Sequence, residues 1–74
     1  MNITVKLFAT FQKGRFVIEQ REYPSGTLVG SIISELQIPE ESLGIVMINH
    51  RHVKLDRELS EGDTLAIFPL VGGG

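Results

Sequence analysis

The chain has 74 residues, a net charge of −2 and no cysteine, which limits it to one small domain and excludes disulfides, thiolate metal sites and a cysteine nucleophile. Its seven Lys and Arg residues are scattered along the chain, so no basic face for nucleic acid is indicated. No apolar run approaches the roughly 20 residues that cross a bilayer, and no signal peptide precedes the first strand-like stretch. We therefore expect a cytoplasmic protein that binds neither nucleic acid nor membrane.

The sequence signatures of common enzymes are absent. The chain has no phosphate loop, no GxGxxG after a strand, no nucleophile elbow and no HExxH. A domain of this size also has little room for a pocket that excludes water. The chain is therefore not expected to be an enzyme acting alone.

The first residues predict an antiparallel hairpin. Residues 2–9 alternate in the period of a strand, with three apolar side chains on the inner face: Ile3, Val5 and Leu7. Phe8 is a large apolar group on the outer face of the same strand. After a loop at residues 10–14, the charged run at residues 16–23 predicts a second strand at the edge of the sheet.

A helix is predicted over residues 27–37. Its apolar positions have helical spacing: Val29, Ile32, Ile33 and Leu36. Thr27 is placed as the N-cap, because its hydroxyl could accept a hydrogen bond from a first-turn amide. Gly30 either allows close packing on a sheet or is simply tolerated at a cost of up to about 1 kcal/mol. Pro39 is expected to end the helix, with Ile38 extended.

The second half of the chain predicts a short helical turn and three strands. The helical turn lies at residues 39–44, and the third strand at residues 45–49 has Val46 and Ile48 inward and Met47 outward. Asn49-His50 is typical of a tight turn with positive φ, and Val53 is placed in a short return strand.

The last strand is predicted at residues 64–70, after a turn at residues 60–63. Its inner face has Leu65 and Ile67, whereas Ala66 and Phe68 face outward. Pro69 lacks an amide hydrogen and is expected to stop the ladder pairing.

This element order predicts an α+β domain of the β-grasp type. One main helix covers one face of a mixed sheet of four or five strands, and the first and last strands lie side by side in the middle. We expect residues 1–71 to form this single domain and residues 72–74 to be a flexible glycine tail.

The last three residues are Gly72, Gly73 and Gly74. One interpretation is a frayed end or a cloning remnant. The other is a thin backbone that threads a narrow channel of a partner, since residues 70–74 reach about 17 Å when extended. A terminal carboxylate is ionised at neutral pH and is a poor electrophile. A partner that binds ATP would have to activate it, because nothing in this chain predicts an ATP site.

The run EGDTLAIFPLVGGG resembles the C-terminal end of the MoaD/ThiS family of ubiquitin-like sulfur carriers. The opening VKLFA, the segment VGSIISEL and the segment GIVMIN also lie where that family has its strands and helix. The resemblance covers nearly the whole chain. Its most specific part is the GD turn, the apolar strand, the pair Phe68-Pro69 and the glycine tail.

The resemblance implies that the C-terminal glycine is the reacting residue. An E1-like adenylating enzyme of the MoeB/ThiF type would adenylate Gly74 with Mg-ATP, and a sulfur donor would convert it to a thiocarboxylate. The chain itself would bind no cofactor. The pair Phe68-Pro69 is closer to the molybdopterin synthase small subunit (MoaD) than to the thiamine carrier (ThiS), so molybdopterin is ranked first and thiamine second. A further implied partner is the molybdopterin synthase large subunit.

Three residues depart from the family pattern. The family usually ends in two glycines, so either a partner accommodates the third or Gly74 is trimmed or artefactual and Gly73 is the working terminus. Asn49-His50 stands where Asn-Gly is frequent, and Leu70 replaces a frequent second proline.

The predicted partner-binding residues are apolar and lie outside the core: Phe8, Met47, Phe68, Pro69 and Leu70. The first three would form one exposed patch on the sheet, although scattered surface hydrophobic residues are also normal. His50 and His52 could be considered metal ligands, but solvated turn residues are the preferred interpretation and no metal site is predicted. Arg51, Lys54 and Arg57 are interpreted as a solvated basic cluster.

Two other functions share this fold and tail. A ubiquitin-like modifier would be conjugated through its C-terminal glycine to lysines of target proteins. A plain β-grasp interaction domain would have an inert tail. The sequence does not separate these alternatives from a sulfur carrier.

Overall fold

The structure is a computed structural model that describes residues 1–71. One five-stranded mixed sheet packs against one helix, and the elements are β1 (Asn2–Leu7), β2 (Ile18–Glu22), α1 (Val29–Glu35), β3 (Leu43–Ile48), β4 (Arg51–His52) and β5 (Thr64–Pro69). Single 3₁₀ turns lie at Ala9–Gln12 and Glu40–Ser42. Within residues 1–71, none of the helices is both long enough and apolar enough to cross a membrane.

The strand order is β2-β1-β5-β3-β4. The central strands β1 and β5 are parallel, and the other neighbours pair antiparallel. The first and last strands therefore lie side by side, with β2 at one edge. The β-grasp prediction is confirmed, with five strands in the sheet.

The core forms between the inner face of the sheet and α1. The predicted inward residues of β1 and β5 are almost fully buried, as are the first three apolar residues of the helix stripe: Ile3, Val5, Leu7, Leu65, Ile67, Val29, Ile32 and Ile33. Phe11 is also buried, although the sequence predicted only a loop there. Its 3₁₀ turn folds the aromatic ring back into the core, which a periodicity argument over so few residues does not detect.

The prediction that Thr27 caps the helix is wrong. The helix begins at Val29, Leu28 is the N-cap residue, and no side chain caps this end. The Thr27 hydroxyl instead donates to the Pro24 carbonyl at 2.7 Å. Backbone carbonyls satisfy the first-turn amides: the amide of Val29 donates to Arg57 at 2.9 Å, and that of Gly30 donates to Leu55 at 2.8 Å. The helix therefore packs closely at Gly30, but on the segment before β5 and not on the sheet.

The prediction that Pro39 ends the helix is also wrong, since α1 ends at Glu35. Gln37 has a φ of 60°, and its amide and that of the next residue bond back to the helix, as in a Schellman motif. The Arg15 guanidinium donates to the carbonyls of Leu36 at 3.0 Å and Gln37 at 3.2 Å. A side chain from the β1–β2 connection thus satisfies the helix C-terminus.

The turn between β3 and β4 follows the prediction. Asn49 and His50 have φ values of 51° and 69°, which a two-residue hairpin turn requires. The side-chain nitrogen of Asn49 donates to the buried Asp63 carboxylate at 3.0 Å, and the side-chain oxygen of Asn49 accepts from the Thr64 backbone amide at 3.0 Å. Asp63 also accepts from the Ser60 amide at 2.8 Å. This network fixes the hairpin to the beginning of β5.

Tyr23 connects the edge of the sheet to α1 and offers a titration experiment. Its hydroxyl donates to the Glu35 carboxylate at 2.7 Å. Burial raises the pKa of the Tyr23 phenol, and the hydrogen bond to Glu35 raises it further. Because the folded pKa lies above the unfolded value of about 10, this group stabilises the fold at lower pH, and its contribution is lost as the pH rises above 10.

We expect the native protein to show less phenolate absorbance at pH 10 than the denatured chain, because the pKa of Tyr23, the single tyrosine of the chain, is raised by folding. The same titration in denaturant is the control and should give half-ionisation near pH 10, the value for an unperturbed tyrosine. Half-ionisation of a folded chain at pH 10, with a native circular dichroism spectrum, would contradict the assigned hydrogen bond.

Candidate docking face and tail root

The outer face of the sheet brings together the three aromatic and methionine residues predicted to dock partners. Phe8 directly follows β1, Met47 lies on β3 and Phe68 lies on β5 between them. The rings of Phe8 and Phe68 are stacked, with centroids 4.0 Å apart and an angle of 12° between the planes. All three side chains are only partly buried. The structure therefore gathers them into one surface, which we call the outer patch (Phe8, Met47 and Phe68).

A shallow depression of about 180 Å³ lies on the outer patch. Its lining combines the patch and Ala66 with four polar residues: Lys6, Asn49, His50 and Thr64. No carboxylate is among these lining residues, and Lys6 and His50 are the groups there that carry or can take a positive charge. This combination can accept an apolar side chain and a neighbouring acid of a partner protein.

Ile45 is an outward residue that the sequence reasoning missed. Ile45 is 42% exposed and lies in the stretch between Leu43 and Val46 where the pairing of β3 with β5 is irregular. The run from Leu43 to Ile48 is apolar at nearly every position, so it shows no alternation from which a face could be read. Counting back two residues from Met47 was the available signal.

The tail root, residues 69–71, leaves the sheet beside β3. As predicted, the ladder pairing stops at Pro69, which pairs with Leu43 and is the last residue of β5. The Leu70 amide then donates to the Ser42 carbonyl at 2.8 Å. The side chains of Leu70 and Val71 are 63% and 83% exposed. Pro69 is tolerated at the end of β5, and the next amide, that of Leu70, bonds to the segment just before β3.

Gly44 allows this close approach of the two backbones. A Cβ atom at that position would lie 2.8 Å from the Pro69 carbonyl carbon and 3.0 Å from the Leu70 nitrogen, and it would overlap the Pro69 carbonyl oxygen. The pairing of β3 with β5 is irregular between Leu43 and Val46, which is where Gly44 lies. A residue with any side chain would force the tail root away from β3.

The remaining predicted groups lie elsewhere. His52 and the basic residues Arg51, Lys54 and Arg57 are exposed. In the part of the chain that the structure describes, no group of three potential metal ligands is close enough to hold an ion. The predicted reacting residues Gly72, Gly73 and Gly74 lie outside the described residues, so their roles stay predictions.

Comparison with known proteins relates the whole chain to one family. The model of the ThiS family matches residues 5–74. A Pyrococcus furiosus protein assigned as molybdopterin converting factor subunit 1 is 28% identical, with a TM-score of 0.77 over 96% of this chain and 99% of that chain. No curated protein matches the chain in sequence.

Two more distant solved structures share the fold. Small archaeal modifier protein 1 of Haloferax volcanii is 21% identical, with a TM-score of 0.76 over 95% of this chain and 98% of that chain. Subunit 1 in the complex of subunits 1 and 2 of the molybdopterin-converting factor from Helicobacter pylori 26695 is 18% identical, with a TM-score of 0.67 over the full length of both chains. At these identities the likeness concerns the fold alone.

Proposed function

Because this chain belongs to the ThiS family, we propose that it is a sulfur carrier that works through its C-terminal glycine. The observation that carries the proposal is the extent of the family match, which runs over residues 5–74 and so includes both the β-grasp domain and the three glycines. Gly74 is the proposed reacting residue, or Gly73 where the last glycine is removed. In this proposal the single domain of residues 1–71 presents the glycine tail, residues 72–74, to partners.

The proposed chemistry begins with the terminal carboxylate, which is ionised at neutral pH and resists nucleophilic attack. An E1-like enzyme of the MoeB/ThiF type supplies Mg-ATP. A carboxylate oxygen attacks the α-phosphorus, pyrophosphate leaves, and the acyl-adenylate forms. Sulfide released from a donor then attacks the acyl carbon, AMP leaves with the bond to the acyl carbon broken, and loss of the proton from sulfur gives the thiocarboxylate. The chain contributes the acyl group and binds no cofactor, so it acts as a co-substrate or as the small non-catalytic subunit of a synthase.

The outer patch is the proposed docking surface for the activating enzyme. Stacked, partly exposed aromatic rings provide a large apolar contact at a small cost in side-chain entropy. Pro69 and Leu70 continue this surface toward the tail, and the glycines after them have no side chains to obstruct a narrow channel. Docking by the outer patch would therefore leave the active site of the enzyme within the extended reach of the tail and its terminal carboxylate.

Molybdopterin biosynthesis is the first proposed destination of the sulfur, and thiamine biosynthesis the second. Two observations support this order: the pair Phe68-Pro69 and the 28% identity to a protein assigned as molybdopterin converting factor subunit 1. The Helicobacter pylori relative is described in a complex with subunit 2. We accordingly propose the large subunit of molybdopterin synthase as the partner that consumes the thiocarboxylate.

Intact-mass spectrometry tests the carrier function directly. The chain is incubated with the E1-like enzyme of the same organism, Mg-ATP and a sulfur donor. The expected result is a mass increase that matches replacement of oxygen by sulfur, located at the last residue by fragmentation. The same spectrum shows whether Gly74 or Gly73 is the working terminus.

An unchanged mass, with the enzyme shown to be active on its known carrier, would count against the proposal. Covalent conjugates that survive boiling in reductant would instead indicate a ubiquitin-like modifier. An interaction that is unaffected by removal of the tail would indicate a plain interaction domain.

A further inference from the structure

Gly44 lies in the one stretch where the pairing of β3 with β5 is irregular, between Leu43 and Val46. The atoms that a Cβ at Gly44 would meet all belong to the backbone of Pro69 and Leu70. A flexible side chain could rotate out of the way of a new methyl group, but a paired backbone cannot. Even alanine at this position therefore requires the end of β5 to move.

A backbone hydrogen bond also connects the tail root to the segment just before β3. The Leu70 amide donates to the Ser42 carbonyl at 2.8 Å, while the Leu70 and Val71 side chains are largely exposed. Backbone contacts with residues 42–44, and not side-chain packing, hold the tail root. The direction in which the chain leaves the sheet is therefore set by β3 and by the turn before it.

We propose that Gly44 is a positioning residue for the tail, because its missing side chain lets β3 fix the exit direction of the chain at Leu70. This inference rests on the proposed function, in which the outer patch docks while the terminal carboxylate enters a distant site. If the tail is extended in the narrow channel of the partner, as the proposed function requires, its length from Leu70 to Gly74 is about 17 Å, and a change of about 20° in the exit direction displaces the terminus by roughly 6 Å. Reactions in enzyme sites are sensitive to displacements of about 1 Å.

The test is Gly44→Ala, compared with the wild-type chain in two measurements with the activating enzyme. The dissociation constant is expected to change less than about threefold, because in the proposed function the outer patch, which does not include Gly44, supplies most of the contact. The rate of adenylate formation at saturating carrier is expected to fall at least tenfold. Amide exchange at Leu70 is expected to become faster, since its bond to Ser42 is disturbed.

Gly30→Ala is the matched control. It adds the same methyl group at another tight position, 3.2 Å from the Leu55 carbonyl oxygen, where it is remote from the tail root in sequence and in the fold. Both the dissociation constant and the saturating rate should remain at the wild-type values. A folded Gly44→Ala chain that is adenylated at the wild-type rate, or whose loss lies entirely in binding, would overturn the inference.

If Gly44→Ala does not fold, Pro69→Gly is the second test of whether the exit direction of the tail matters. It leaves Gly44 and the carbonyl of residue 69 in place but frees the φ angle that proline restricts. Because Pro69 also belongs to the proposed docking surface, only the rate at saturating carrier is compared, since that rate does not depend on the affinity. It is expected to fall, and a wild-type saturating rate would overturn the inference. A wild-type chain that is not adenylated at all would count against the proposed function itself.

Discussion

Removing Gly73 and Gly74 is expected to abolish thiocarboxylate formation and to leave the melting temperature unchanged. The core ends at Ile67, and the Leu70 amide after β5 donates to the Ser42 carbonyl before β3, so the shortened chain keeps the contacts that stabilise the fold. Its carboxylate, however, stands two residues short, about 7 Å at an extended rise of 3.3–3.6 Å per residue. Intact-mass spectrometry after activation and a thermal melt measure the two effects.

A second deletion variant, which lacks Gly74 alone, shows which glycine is the working terminus. If Gly73 is the working terminus, the single deletion is activated at least as well as the full chain, whereas the double deletion is inactive. Thiocarboxylate formation by the double deletion would refute the carrier mechanism. A large fall in melting temperature would show instead that the tail stabilises the domain.

Phe68→Ala is expected to weaken binding to the activating enzyme by about 2 kcal/mol or more, which is roughly 30-fold in the dissociation constant. The substitution removes one of two stacked rings at the centre of the outer patch and leaves Phe8 without its partner. The stacking itself contributes about 0.5–1.5 kcal/mol to stability, so some loss of stability accompanies the loss of binding. Isothermal titration calorimetry at a temperature well below the melting transition separates the two.

Phe16→Ala is the matched control for this experiment. Phe16 is also partly buried, but its ring lies 5.6 Å from the Arg21 guanidinium, away from the outer patch. The same truncation there should lower stability without changing the dissociation constant. Equal binding losses in the two variants would mean that the outer patch is not the docking surface.

The sheet and the main helix were predictable because their signals are periodic and local. Alternation placed Ile3, Val5 and Leu7 inward, and all three are almost fully buried. The hairpin turn was predictable for a similar reason, since Asn and His tolerate positive φ better than most residues.

The errors arose where the deciding partner is distant in sequence. Thr27 has the chemistry of an N-cap, but the carbonyls of Leu55 and Arg57 occupy that role from about 30 residues away. Gly44 shows no local signal for its role, because the atoms that exclude a side chain belong to Pro69 and Leu70. The outer patch could be predicted from strand parity, whereas the route of the tail root depended on this contact between distant segments.

The parallel pairing of β1 with β5 also determines when the outer patch forms during folding. These two strands are the first and last of the five to be synthesised, and the sheet cannot close until β5 is available to separate β1 from β3. Because β1 and β5 are far apart in sequence, we expect their pairing to form late in folding. Since Phe8 and Phe68 meet only in that step, a chain that lacks its last strand also lacks the stacked pair of the proposed docking surface. The topology would thereby reserve that surface for a chain that has folded through β5.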